Sequence, residues 1–341
     1  MINRTDQWAY RIPFALQWMW PVPLIIGVLL APESPWWLIR HDRPEEAKKE
    51  LLRLTSRGDP SFNADETIAM MAYTHQIEKQ MSQGTTYAQC FRGVDLRRTE
   101  ITCLTWLSQA MCGSSLQSFS VTFFETAGLT TTGAFDLTLG QYALGIVGTL
   151  GSWFLMTRFG RRSLYMFGLF VQLIVLMIVG FIAIAPVTAS TAWATGSLIL
   201  ISTFIYDSTI GPVCYAIVAE ISSTALKGKT IVLARNVYNI GGIINNILVN
   251  FMVTAPSAGG WGWDGKAGFF YGGLCAICLV WCWFRLPEPN GRSYAELDIL
   301  FERKIPARDF AKTHVDIFSA SDLETEKKTL IVEQHAEFAE K

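Results

Sequence analysis

Residues 158–185 read RFGRRSLYMFGLFVQLIVLMIVGFIAIA. Three arginines crowd the first five positions, and the run 164–185 that follows carries no charge. About 20 residues at ~1.5 Å rise cross the ~30 Å hydrocarbon core of a bilayer, so this run is long enough to span one. Lipid offers no partner for backbone N–H and C=O groups, so a spanning segment of this kind is a helix. Six further runs repeat the pattern, at 14–30, 101–124, 139–156, 198–218, 231–253 and 269–284. The chain reads as a polytopic, all-α membrane protein.

The charges between the runs alternate. Arg40, Arg43, Lys48, Lys49, Arg97 and Arg98 lie between the first two runs. Arg158, Arg161 and Arg162 follow the third, Lys227 and Lys229 the fifth, and Arg285 and Arg292 the seventh. The intervening side holds Arg4, Arg11 and Lys266. Lys/Arg-rich connections stay cytoplasmic, so the amino terminus is expected outside and the carboxyl tail inside, in a multi-pass protein of the plasma membrane.

Composition agrees. Half of the 341 residues are hydrophobic and 17% are charged, against about 25% in an ordinary soluble domain. A net charge of −1 recommends no nucleic-acid partner. The seven cysteines fall mostly inside apolar runs and suggest small buried side chains, with neither a metal site nor a disulfide framework. No cofactor is implied. His41, His75, His314 and His335 lie outside the runs with no nucleophile–base spacing, so an enzyme is not expected.

Four regions follow: residues 1–31, an extracytoplasmic start and one span; 32–97, a cytoplasmic loop; 98–286, six spans; and 287–341, a cytoplasmic tail expected to be largely disordered. Within the loop, Pro44 followed by Glu45 and Glu46 predicts a helix start, because proline suits the first turn and acids favour the dipole. A Gly58-Asp59-Pro60 turn and a second amphipathic helix over 62–81 come next.

Four short sequences together resemble the sugar porters of the major facilitator superfamily. They are Pro32-Glu33-Ser34-Pro35-Trp36-Trp37-Leu38, Arg158-Phe159-Gly160-Arg161-Arg162, Gly211-Pro212-Val213-Cys214-Tyr215 with Glu220, and Pro287-Glu288-Pro289-Asn290-Gly291-Arg292-Ser293. The wording around them, including Tyr10-Arg11-Ile12-Pro13-Phe14 and Ala219-Glu220-Ile221-Ser222, is most similar to fungal α-glucoside/maltose permeases. Trp36, Thr157, Tyr215 and the pair Pro289-Asn290 depart from the family's usual residues. Over residues 6–305 the resemblance implies the carboxyl-terminal six-helix bundle plus one helix, the sixth, of the amino-terminal bundle, with five helices absent. It implies a secondary carrier of a sugar, an α-glucoside such as maltose, with a proton as coupling ion. It also implies that the chain is truncated, possessing a missing amino-terminal bundle as its natural partner and transporting nothing alone. A non-transporting sugar sensor or regulatory membrane partner is the alternative.

Asp207 is the sharpest single residue. A carboxylate at membrane depth costs about 2.5–3.5 kcal/mol on insertion scales and faces a polar cavity or a partner. Pro212 nearby removes a backbone hydrogen bond and can break the helix beside it. Two readings stand, an acceptor for a substrate hydroxyl and a carboxylate capping the broken helix. Amides suit sugars because one side chain both donates and accepts. By resemblance Gln109 belongs to a substrate-binding motif of the seventh helix, with Ser115 and Gln117 following it; the competing account of all three is that polar side chains hold helices together. Tyr206 and Tyr215 stack on sugar or pack the core, and Asn239 is the ligand expected from an asparagine-rich span. A second group, Arg158, Arg161, Arg162, Glu220 and Lys227, extended by Glu33, Glu288 and Arg292, resembles the family's gating charge network. For those residues positive-inside topology alone is the competing account.

Overall fold

The structure is a computed structural model that describes residues 6–55, 62–82, 86–126, 128–223 and 225–313. No strand occurs among the described residues. The chain divides into two compact units, Met1–Thr85 and Thr86–Lys341. The boundary therefore falls at 85, and residues 86–97, expected to belong to the loop, fold with the second unit.

In the first unit, α1 (Trp8–Leu16) and α2 (Pro21–Leu30) are joined by a 3-10 turn, Gln17–Met19, and together form a 23-residue candidate span, Trp8–Leu30. Three further helices, α3 (Pro35–Arg40), α4 (Pro44–Leu54) and α5 (Ala64–Ser82), enclose a small core of Leu38, Ile39, Ala47, Leu51, Ile68 and Met71. Helix α4 starts at Pro44 with both acids in its first turn. Lys48 pairs with Asp65 at 2.5 Å, tying α4 to α5. The turn expected at 58–60 lies outside the described residues.

The second unit begins with a 3-10 turn, Tyr87–Phe91, and continues as α6 (Gly93–Met111), α7 (Ser114–Ser118), α8 (Ser120–Thr126), α9 (Thr131–Arg158), α10 (Arg161–Ile182) and α11 (Ala189–Ile205). A widened π turn, Tyr206–Ile210, leads into α12 (Gly211–Ile221). Then come α13 (Lys227–Val253), α14 (Ala267–Arg285) and α15 (Tyr294–Glu302). The most extensive packing joins α10 to α14 and α6 to α13. One apolar core, with Ile101, Tyr165, Val213 and Phe301, lies toward the Lys/Arg-rich end. Another, with Leu116, Phe124, Leu176 and Tyr271, fills the opposite end.

Five described helices are long and apolar enough to cross a membrane: Trp8–Leu30, Thr131–Arg158, Arg161–Ile182, Ala189–Ile221 and Asp264–Arg285. The chain is a multi-pass membrane protein. Two of the seven predicted spans do not meet that measure, one because its helix is interrupted and the other because it is polar. The run 101–124 divides among α6, α7 and α8, interrupted at Gly113, whose φ of +93° a side chain would strain. The run 231–253 is helical throughout but carries Arg235, Asn236, Asn239, Asn245 and Asn246.

Two more expectations are corrected. The helix does not break at Pro212, because Ala189–Ile221 runs through it as one 33-residue span, with the strain absorbed in the π turn. Residues 287–313, expected to be disordered, are folded: Leu297, Leu300, Phe301 and Phe310 are fully or almost fully buried. The remainder of that tail, 314–341, lies outside the described residues.

Candidate functional site

Proline at 212 has no N–H to give the preceding turn. The helix answers by widening: the Gly211 N–H donates to the carbonyl of Tyr206, five residues back. The hydroxyls of Ser208 and Thr209 turn onto the carbonyls of Phe204 and Ile205, each at 2.6 Å. Widened turns of this kind concentrate at functional sites because the extra residue re-aims its neighbours. Helix α9 accommodates the bulge with glycines. A Cβ on Gly145 would lie 2.6 Å from Asp207 Oδ2, and one on Gly148 would lie 3.0 Å from the Phe204 carbonyl oxygen and from Ser208 Oγ. Across the turn, a Cβ on Gly168 of α10 would overlap Thr209.

Against this wall opens a cavity of about 560 Å³. Its polar lining comes from Ser114, Gln117 and Ser118 of α7, Gln141 and Tyr142 of α9, Thr203 of α11, Tyr206 and Asp207 of the π turn, and Tyr238 of α13. Asp207 is half-buried and makes no hydrogen bond or ion pair among the described residues. Behind it the amides are chained. Gln141 Nε2 donates to the Gln117 carbonyl at 3.0 Å, and Gln117 Nε2 donates to Ser202 Oγ at 3.0 Å. Gln172 Nε2 donates to the same Ser202 oxygen at 2.7 Å and to the Cys112 carbonyl at 3.2 Å. The side-chain oxygens of Gln109, Gln141, Gln172 and Asn245 are buried without a protein partner. The wall thus presents a carboxylate unbonded among the described residues, serine and threonine hydroxyls and three tyrosines. Such a surface accepts hydrogen bonds from several hydroxyls at once and stacks against a ring.

Of the residues singled out in the sequence, Gln117, Tyr206 and Asp207 meet on this cavity. Ser115 is buried behind it, and its neighbour Ser114 lines it instead. Gln109 is buried with its Nε2 3.4 Å from the Gly211 carbonyl, at the end of the π turn. Tyr215 lies elsewhere, edge-on to Trp106 at 5.5 Å and accepting from Arg235 at 3.4 Å. Asn239 is exposed and off the cavity, because the register of α13 presents Tyr238 there. Sequence reasoning missed Gln141, Gln172, Ser202 and Arg235. The two glutamines and the arginine were visible as polar residues inside apolar runs, which is the mark of interior or functional positions in a membrane.

A second cluster sits at the Lys/Arg-rich end. Glu288 accepts from the backbone N–H groups of Arg161 at 2.8 Å and Arg162 at 3.1 Å, capping α10. Arg161 pairs with Glu220 at 3.2 Å and donates to Asn290. Arg162 donates to the Trp283 carbonyl at 2.9 Å. Lys227 donates to the Tyr294 hydroxyl at 3.0 Å, and Arg292 donates to the carbonyls of Phe310 at 3.0 Å and Thr313 at 2.6 Å. Arg158 stands apart, its guanidinium 5.2 Å from the Phe154 ring centre. Glu33 is an exposed residue of the first unit. A third knot, not foreseen, joins α6 to α15. Arg98, 3% exposed, pairs with Asp298 at 2.5 Å and lies 4.4 Å from the Phe301 ring centre. Glu100 binds Arg285 and accepts from Trp281 at 3.3 Å. The Arg285 hydrogen bond holds the Glu100 carboxyl below the usual range.

Comparison with known proteins gives the family and the fold. Residues 1–301 match the model of the family described as "Sugar (and other) transporter". The general alpha-glucoside permease of Saccharomyces cerevisiae is 43% identical over 313 residues, which cover 91% of this chain and 50% of the permease. The maltose permease MAL61 of the same species is 40% identical over 316 residues, 92% of this chain and 51% of that one. The chain spans about half the length of the curated relatives it matches. Among solved structures, the major facilitator proton:xylose symporter XylE bound to 6-bromo-6-deoxy-D-glucose superposes with a TM-score of 0.67 at 19% identity, covering 88% of this chain and 62% of XylE. An inward-open XylE from E. coli gives 0.59 at 18% identity, with 87% and 59% covered. At these identities the likeness shows the fold, a major facilitator bundle.

Proposed function

The chain belongs to the sugar (and other) transporter family, and from this premise we propose that its second unit carries the sugar site of an alternating-access carrier for an α-glucoside such as maltose. One observation carries the proposal. Asp207, a carboxylate inside a membrane span, makes no hydrogen bond or ion pair among the described residues and opens onto a cavity whose other polar groups are amides and hydroxyls. Leaving such a group unpaired in an apolar setting costs several kcal/mol unless a ligand or water satisfies it. A sugar hydroxyl does so by donating to the carboxylate. Ser114, Gln117 and Ser118 supply further polar groups, and Tyr142, Tyr206 and Tyr238 supply ring faces. The names of the permeases that share 40–43% identity support an α-glucoside over other sugars.

Carriers of this fold rock two bundles about a site near the membrane midplane. The second unit supplies one such bundle, and the cavity is its contribution to the central site. The opposite wall then comes from a second bundle. The ion pair Arg161–Glu220 and the Glu288 cap hold the Lys/Arg-rich end, which the positive-inside rule puts in the cytoplasm of a plasma-membrane protein. Coupling to a proton gradient is part of the same reading, supported by the fold shared with a proton:xylose symporter.

The test is maltose binding to the purified chain in nanodiscs, measured by calorimetry beside Asp207→Asn. Asparagine keeps the size of the side chain and loses the charge. The lost charge-assisted hydrogen bond, about 1.5–3 kcal/mol, corresponds to weakening of roughly tenfold or more. Maltose binding unchanged in the variant removes Asp207 from the site, and no maltose binding by the parent chain refutes the reading.

A further inference from the structure

The outer side of the π turn faces a second hollow, of about 660 Å³. Its walls are apolar: Gly151 and Phe154 of α9, Phe159 and Phe167 around the start of α10, and Phe204 and Ile205 of α11. The hydroxyls of Ser208 and Thr209, which border it, are already bonded to carbonyls of their own helix. The hollow therefore offers its occupant hydrocarbon contact. It opens between spans of a membrane protein, where the surrounding solvent is acyl chain.

Its charged end says which acyl chain. Arg161 and Arg162 are both tied into the cluster described above, whereas Arg158 makes no ion pair or hydrogen bond with a described residue. Arg158 is exposed, and its guanidinium lies over Phe154, a wall of the hollow. A long cationic side chain at the end of a span reaches toward the interface, where lipid phosphates lie. Basic groups beside a cleft between spans recognise anionic headgroups, and the Lys/Arg-rich side is the one that faces anionic lipid.

We propose that this groove binds an anionic glycerophospholipid, with one acyl chain in the hollow and its phosphate-bearing headgroup paired with Arg158. The chain would lie against Phe204, Ile205 and the back of the turn whose front carries Tyr206 and Asp207. The lipid would thereby brace the wall of the polar cavity. This does not rest on the identity of the sugar.

The structure supplies its own test. A Cβ placed on Gly151, which lines the hollow, meets nothing within 4 Å, so Gly151→Leu is a substitution the backbone there has room to begin and that adds bulk at the groove. The purified full chain is melted in detergent with added phosphatidylglycerol or phosphatidylcholine, and lipid adducts are counted by native mass spectrometry. Phosphatidylglycerol is expected to raise the melting midpoint and persist as a one-lipid adduct, and phosphatidylcholine is not. Arg158→Gln should weaken the phosphatidylglycerol effect about tenfold in lipid concentration, the loss of one ion pair of ~1.4 kcal/mol. Gly151→Leu should abolish the effect; should that variant fail to fold, Gly151→Val takes its place. Equal response to the two lipids, or a response that survives either substitution, overturns the proposal.

Discussion

Gly160→Ala isolates the cap of α10. Gly160 has φ −64° and ψ 149°, a conformation alanine adopts freely. On backbone grounds alone the substitution should stabilise by about 0.4–1 kcal/mol, through a less flexible unfolded chain. The structure demands the opposite sign. An alanine Cβ at 160 would overlap the Glu288 carboxylate and lie 2.6 Å from its Cδ. The carboxylate must then leave the N–H groups of Arg161 and Arg162, which it binds at 2.8 and 3.1 Å. Charge-assisted bonds are worth about 1.5–3 kcal/mol each, and an acid at a helix N-terminus adds ~0.3–1. Glu288 is half-buried, so the lower ends apply and the cap is worth about 3 kcal/mol, a net loss of about 2–2.6 once the backbone gain is set against it. For a unit of this size that is a fall of roughly 4–10 °C in melting midpoint. Glu288→Ala should cost about the same, and the double variant no more than ~0.5 kcal/mol beyond either single one, because both remove one interaction. The assay is thermal unfolding of the detergent-purified chain followed by tryptophan fluorescence. A Gly160→Ala protein as stable as the parent, or more so, would falsify the capping argument.

Three further outcomes follow from the same end of the molecule. Phe301→Ala, at a fully buried ring packed 5.0 Å from Phe310 and beneath Arg98, should cost about 3–5 kcal/mol and speed hydrogen exchange across 294–302. Exchange confined to its present rate would mean that α15 is held by something else. A double-mutant cycle on Arg161→Ala and Glu220→Gln should return a coupling of roughly 1–2 kcal/mol, larger than an exposed pair gives, and additivity would reduce the pair to topology. Glu100 has its carboxyl held down by Arg285, so its contribution is complete above the unfolded carboxylate pKa and is lost as pH falls through the lowered folded value. Glu100→Gln should therefore flatten the acid limb of a stability–pH curve, and an unchanged limb would assign that limb to other groups.

The apolar runs and the arginines between them were enough to place the chain in a membrane, because lipid leaves backbone only one helical solution. The motif glutamate at 288 and glycine at 160 were legible as a resemblance, but their joint reason was not. It required two segments more than a hundred residues apart to meet, and sequence spacing does not carry that distance. Pro212 illustrates the other limit. Its missing N–H was legible, yet a helix can break or widen to accommodate it, and the glycines of α9 and α10 decide for widening by giving the bulge room. Tyr238 rather than Asn239 reaches the cavity for a similar reason. Polarity marks a candidate, while helix register, which tertiary packing fixes, chooses the face. The folded segment 287–313 was hidden because charged residues interrupt its apolar ones; Leu297, Leu300, Phe301 and Phe310 bury only by joining a core with Ile217 and Val218 of the distant α12.

The π turn is where these threads meet. It is a single wall between a polar cavity and an apolar groove, with Tyr206 and Asp207 on one side and Ser208 and Thr209 on the other. Three glycines let α9 and α10 close on it, so there is no side-chain layer to absorb a shift. Interiors packed this closely respond by moving between discrete arrangements rather than by yielding. A change in either space must therefore be felt in the other. On the two proposals above, a sugar bonded to Asp207 would work against the same turn that an acyl chain would support from behind. A side chain larger than glycine at 145 would push first on Asp207, and one at 168 would push first on Thr209, so the two substitutions load one wall from opposite faces. If both proposals hold, that arrangement would link the state of the binding site to the surrounding lipid through one helical turn.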